Sequence, residues 1–309
     1  MRIATASYMD LLHQNIHDAE GKLGILTRQI TSGRQIHAPS DDPIAASQAL
    51  RAHGVLEANL GQQRVLERAL QHNRALDDAL GELSTPLRTA YNAAMKATQP
   101  GLGETGRLAC AQEIESALSR LVSLGNFEFA GTYLLGGTDN RHAPLVQTAD
   151  PDQPVQYTGN DMPMRLSVAP GRSVDITITG ERLFNFADAG GNRAVSEVDA
   201  DVFQVMSDLA RDVRIGYENG IAQNMEKLDT LLRHAISMQG VVGAVGLRLE
   251  QSLDVARNLE VQTRTVLAEV EDVDIVRALL EVEKSKLAYQ AALTATAQMA
   301  QMPTLFDRM

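Results

Sequence analysis

A few side chains in this 309-residue sequence have the type and spacing to do chemistry, and each has a plainer reading. His13 and His17 stand four apart, so on a helix they share one face and could grip a metal ion. No third ligand follows in the local sequence, and a solvated helix face explains the pair. Cys110 is the only cysteine, which excludes an intramolecular disulfide. Its neighbours Leu108 and Ala109 suggest a buried, inert thiol rather than a nucleophile. The carboxylates Glu269, Glu271, Asp272 and Asp274 lack the apolar surroundings that would turn one into a general acid. They read as a solvated or salt-bridging helix face, able to meet arginines of a neighbouring subunit. Asp41 and Asp42 read as turn and cap residues. No metalloprotease His-Glu-x-x-His, phosphate loop, nucleophile elbow or dinucleotide fingerprint occurs. The expectation is a non-enzyme with no catalytic residue, cofactor or metal.

Composition narrows the class further. The chain is 44% hydrophobic and 22% charged, a globular balance, yet only 4% aromatic and without tryptophan. Thin layers of packed helices need few large rings, whereas thick cores and stacking pockets draw on them. A formal charge of −11 opposes binding to nucleic-acid phosphates. No run of about 18 apolar residues spans a membrane. The first twenty residues hold one basic residue, Arg2, and no apolar signal core. The expected setting is the cytoplasm, or export by a route that cleaves no signal.

The elements that carry these residues are mostly helical. Met9, Leu12, Ile16, Ala19, Leu23, Leu26 and Ile30 alternate steps of three and four, the seam of a helix that faces another helix. Ser32-Gly33 breaks it. Asp42-Pro43 starts a second helix, with Asp42 capping and Pro43 at the first position. Its seam runs from Leu56 through Gln63, Leu70, Asn73 and Leu80 to Leu87, and Pro100-Gly101 ends it near Gln99. Pro86 should kink it, because the ring removes one hydrogen bond. A shorter helix carries Leu108, Ile114, Leu118 and Leu121 and stops near Gly125-Asn126. From Phe127 to about Asn185 short alternating stretches sit between turn pairs such as Gly136-Gly137 and Pro170-Gly171, a small antiparallel β region. Helical spacing resumes near Val202, continues from about Asn219 to Asp274, and ends in a last helix from about Val273 to Met299.

Helices with a single apolar stripe must find partners. The simplest arrangement is mainly α with a β insertion: an elongated antiparallel bundle of the N- and C-terminal regions, with a small antiparallel β domain at the tip. Three parts are expected. Residues 1–42 and 270–309 form a terminal assembly domain, loose in the free chain. Residues 43–130 and 200–269 form a helical rod, and residues 131–199 form the β-rich tip.

Leu26-Thr27-Arg28-Gln29-Ile30-Thr31-Ser32-Gly33-Arg34, followed by Pro39-Ser40-Asp41-Asp42-Pro43-Ile44-Ala45-Ala46-Ser47, resembles the amino-terminal region of the flagellin superfamily. Val270-Glu271-Asp272-Val273-Asp274 with Leu287-Ala288-Tyr289-Gln290-Ala291-Ala292-Leu293 resembles its carboxyl-terminal region. Ser40-Asp41-Asp42-Pro43, Phe129-Ala130-Gly131-Thr132-Tyr133 with Ala143-Pro144-Leu145, and Thr304-Leu305-Phe306 are similar to the hook-associated members of that family. Where filament members carry Arg-Glu-Leu-Ala, this chain has Pro86 and Tyr91-Asn92-Ala93-Ala94.

The resemblance implies a structural component joining the hook-associated zone to the flagellin filament, exported without a cleaved signal and ending extracellularly in the flagellum. It implies four partners: hook-associated protein 1 on the hook side, the flagellin filament on the distal side, further copies in a ring, and a cytoplasmic export chaperone on the C-terminal helix. No nucleic acid and no membrane are expected. The assembly residues would be Leu12, Ile16, Leu23, Leu26, Ile30, Ser40, Asp41, Asp42, Pro43, Val276, Leu280, Leu287, Leu293, Leu305 and Phe306. The alternatives are a short filament flagellin and a secreted helical effector or adhesin with a ligand-binding β domain.

Overall fold

The computed structural model describes residues 2–148, 150, 153–169, 171–188 and 190–300. The chain forms two compact units, one of residues up to Leu60 with those from Asn258 onward, the other of Gly61–Arg257. It is mainly α, with small antiparallel β-sheets.

The first unit contains α1 (Arg2–Ser32), the start of α2 (Pro43–Ala97), the end of α6 (Glu218–Glu271) and α7 (Ile275–Ala300). α1 and α7 lie closely side by side, and Lys22 pairs with Glu281 across them. The half-buried face of α1 is the expected seam: Ile16, Ala19, Leu23, Leu26 and Ile30. α7 answers with Ala278, Val282, Ser285, Tyr289, Ala292 and Thr296, also in steps of four and three. Small residues at 278, 285 and 292 let the two backbones approach closely. α6 ends at Glu271, earlier than the apolar spacing suggests, because Asp272 bridges to Arg34 and the Val273 amide donates to the Gly33 carbonyl. There Asp274 caps α7, accepting from the Arg277 amide at 3.1 Å.

The second unit holds the main core. α2 continues as one helix through Pro86, although the ring takes away the donor for the Glu82 carbonyl; Glu82 is exposed, so water can replace it. Leu76, Leu83, Ala90, Ala93 and Ala94 of α2 are buried with Ile114 and Leu121 of α3 (Glu104–Gly125) and with Ile221 and Leu228 of α6. Phe203, Met206 and Leu209 of α5 (Val202–Ile215) complete this layer, and α3 and α5 pack at close range. Asp201 caps α5, accepting from the amides of Phe203 and Gln204.

Among the described residues the β region consists of three two-stranded antiparallel sheets. β1 (Glu128–Phe129) pairs with β2 (Thr132–Tyr133) through Ala130 and Gly131, both in the left-handed region that so tight a turn requires. Asn126, just past α3, holds β3 (Leu145–Gln147) by donating to the Leu145 carbonyl and accepting from its amide. β3 pairs with β4 (Val155–Tyr157). β5 (Arg165–Ala169) pairs with β6 (Arg172–Asp175). Leu134, Leu145, Val155 and Phe184 join the main core, the last just after a single-turn helix, α4 (Gly180–Leu183). Val168 and Ile176 are buried with Leu66 and Leu70 of α2 and Leu249 and Leu253 of α6. The hairpins therefore take their cores from helices, as two-stranded sheets must. Beyond Asn185, Asp188 accepts from the amides of Gly190 and Asn192.

Candidate assembly interface

The terminal unit gathers most of the residues singled out in the sequence, and it divides them into two sets. Ile16, Leu23, Leu26 and Ile30 are half-buried on the side of α1 that meets α7. Their seam is thus largely occupied within the chain. Val276, Leu280 and Leu287 lie on the other side of α7, 71%, 60% and 64% exposed, and Leu293, 43% exposed, stands at the margin of the face that meets α1. Ile275 and Leu279 extend that stripe. Burying a leucine contributes about 1.5–3 kcal/mol, so this row is a considerable free-energy reserve for association. Leu12 lies on α1, but its side chain is outside the described residues, as are Leu305 and Phe306.

The connection between α1 and α2 is ordered by its own polar groups. Gly33 takes the left-handed conformation that ends α1. Ser32 Oγ lies 2.7 Å from His37 Nε2, and Gln29 donates to the Gln35 carbonyl. Asp41 closes the turn 38–41, accepting from the amides of His37 and Ala38 at 3.1 and 3.0 Å. Those amides, Ala38 first, hold its carboxyl below the usual carboxylate range. Asp42 accepts from the amides of Ile44 and Ala45, both at 3.0 Å, and so caps α2 behind Pro43. Ser40 and Pro43 are exposed beside them. An open groove of about 570 Å³ results, lined by Ile25, Arg28, Ile36, His37, Asp42 and Val270 among others.

The two motif runs meet at this point. An antiparallel bridge joins Arg34 to Asp272, with the Gln35 amide donating to the Glu271 carbonyl (2.7 Å) and the Val273 amide to the Gly33 carbonyl (3.0 Å). The four carboxylates expected on a solvated or salt-bridging helix face separate into different roles. Glu271 pairs with His53 Nε2 at 2.9 Å and faces Arg34 at 3.9 Å within its own chain. Asp274 is the α7 cap, legible in hindsight as an Asp immediately before an apolar run. Glu269 and Asp272 are exposed. His13 and His17 are exposed on α1, Cys110 is buried, and no group of three metal-ligating side chains comes together among the described residues. None of their helices is long and apolar enough to cross a membrane.

Comparison with known proteins matches the same two regions. The bacterial flagellin N-terminal helical region matches residues 3–140, and the C-terminal helical region matches residues 225–305. Flagellar hook-associated protein 3 of Salmonella typhimurium is 26% identical over 186 residues, 60% of this chain and 57% of that protein. The chain thus spans less than two thirds of that relative's length. Among solved structures, hook-associated protein-3 of Legionella pneumophila aligns with TM-score 0.61 at 13% identity, over 71% of this chain and 98% of that one. Xanthomonas campestris FlgL gives 0.58 at 15% identity, over 71% and 99%. With both of its helical regions matched in order at the two ends, this chain belongs to the bacterial flagellin family.

Proposed function

We propose that the chain is a structural component of the bacterial flagellum that joins the hook-associated zone to the flagellin filament. It acts by packing its paired terminal helices against neighbouring subunits. One observation carries this reading: once α1 and α7 have paired, α7 still presents Val276, Leu280, Leu287 and Leu293 to solvent. A stripe of that size needs protein to cover it. The names of the hook-associated relatives support the flagellar setting. On this reading hook-associated protein 1 contacts one side of a ring of copies, and the flagellin filament the other. An export chaperone holds the C-terminal helix before secretion, and no catalysis is involved.

Deleting the gene tests the reading. Loss of motility with unpolymerised flagellin in the medium supports it, and normal filaments on the deletion strain overturn it. Electron microscopy of the purified chain separates the short-flagellin alternative, which alone should grow long filaments on seeds.

A further inference from the structure

The sheet of β5 and β6 leaves one edge open. The Ile176 amide donates to the Met164 carbonyl at 2.9 Å, and the register sets Asp175 opposite Arg165 and Ser173 opposite Ser167. In such an antiparallel ladder alternate residues turn their amides and carbonyls outward, here Ser173, Asp175 and Thr177. The outer edge of β5 is met by α2, where Gln62 donates to the Ser167 carbonyl. The outer edge of β6 has no strand beside it among the described residues. It borders a groove of about 570 Å³ whose other wall is α6. Met238, Val241, Val242 and Val245 form that wall as a single helical face, and Val241 is 47% exposed.

An open strand edge beside an apolar helix face fits an extended polypeptide, which adds a strand through its backbone and lays alternate side chains on the apolar wall. The lengths of the two walls agree. Residues 173–179 extend about 20 Å at ~3.3 Å per residue, and α6 from His234 to Arg248 about 21 Å at ~1.5 Å per residue. His234 bonds to the Arg182 carbonyl at one end, and Val174 and Ile176 pack with Leu249 at the other. Charge selects the occupant. In a chain of net charge −11, three arginines line the groove, Arg165, Arg182 and Arg248, against one carboxylate, Asp175, which Arg165 already holds. Arg182 also borders a hollow containing Asp161, Glu181 and Asp188. Arg248 is exposed and pairs with no carboxylate among the described residues. We propose that this groove binds an extended segment of a different polypeptide, apolar at alternate positions and acidic at its ends, as an added strand along β6. Every lining residue belongs to Gly61–Arg257, and the proposal does not rest on the flagellar reading.

Hydrogen exchange on the full chain tests it with a synthetic peptide, Glu-Val-Thr-Val-Thr-Val-Glu with blocked termini, titrated to millimolar concentration. Exchange at Ser173, Asp175 and Thr177 should slow on binding, while amides of α3 should not change. The same peptide ending in lysines should bind about fivefold more weakly or worse, and Arg248→Glu should weaken the acidic peptide by a similar factor. Val241→Asp, at an exposed position, should abolish binding without disturbing α3 exchange. Unchanged exchange at the three amides would overturn the site, and equal binding of the two peptides would overturn its acidic preference. Protection that grows with the concentration of the chain alone would make a second copy the occupant and overturn the assignment to a different polypeptide.

Discussion

Two glycines three residues apart in α6 should respond oppositely to the same substitution. At Gly243 an added methyl group meets nothing within 4 Å. Alanine there gains helix propensity of about 1 kcal/mol over glycine and loses no contact. At Gly246 the same methyl would stand 2.6 Å from Asn73 Oδ1. Asn73 is 3% exposed, and its Nδ2 donates to the Val242 carbonyl at 3.2 Å. Asn73 reaches across to that carbonyl because Gly246 has no side chain in the way. Gly246→Ala must push the amide aside and leave buried polar atoms unpaired, which costs about 1–3 kcal/mol. Subtracting the propensity gain leaves a net loss of about 1 kcal/mol. For a unit of this size, 1 kcal/mol shifts Tm by about 2–4 °C. Circular dichroism should therefore place Gly243→Ala above wild type and Gly246→Ala below it by similar amounts. In an Asn73→Ala background Gly246→Ala should turn stabilising, since its obstacle is gone. Equal stabilisation by both glycine substitutions in the wild-type background would refute the reasoning.

Two further outcomes follow from the connection between α1 and α2. Asp42→Ala removes the cap on the Ile44 and Ala45 amides, at a cost of about 1 kcal/mol; faster exchange at those amides would register it, and Asp42→Asn should stay close to wild type. Asp41 titrates below the usual range because the Ala38 and His37 amides favour its charged form. A carboxyl lowered in the folded state contributes stability above its unfolded value, about 3.9, that is lost as pH falls through the folded value. Protection of the His37 and Ala38 amides should therefore fade below that range, and Asp41→Asn should show no such acid transition.

The seams of α1 and α2 were legible because leucine and isoleucine recur at helical spacing, and Asp42-Pro43 announced its own cap. The buried face of α7 was not. Ala278, Ser285 and Ala292 carry little hydrophobic signal, and the first two are buried and the third half-buried through close approach rather than bulk. The conspicuous Val276, Leu280 and Leu287 are the residues left outside. Turn pairs located the hairpins, yet nothing local showed that Val168 and Ile176 would be buried against α2 and α6. Asn73 reads in the sequence only as a member of the α2 seam, because its acceptor Val242 lies 169 residues further on. Glu271 looked like one of four equivalent acids until the fold brought His53 and Arg34 to it.

Complementation of the deletion strain with a chain carrying Leu280→Glu and Leu287→Glu tests the central claim most directly. Both side chains are exposed, so the free chain should keep wild-type stability and still be secreted. The account predicts that cells remain non-motile and release flagellin into the medium, because the outer face of α7 can no longer be covered by a neighbour. Full motility with normal filaments would contradict it.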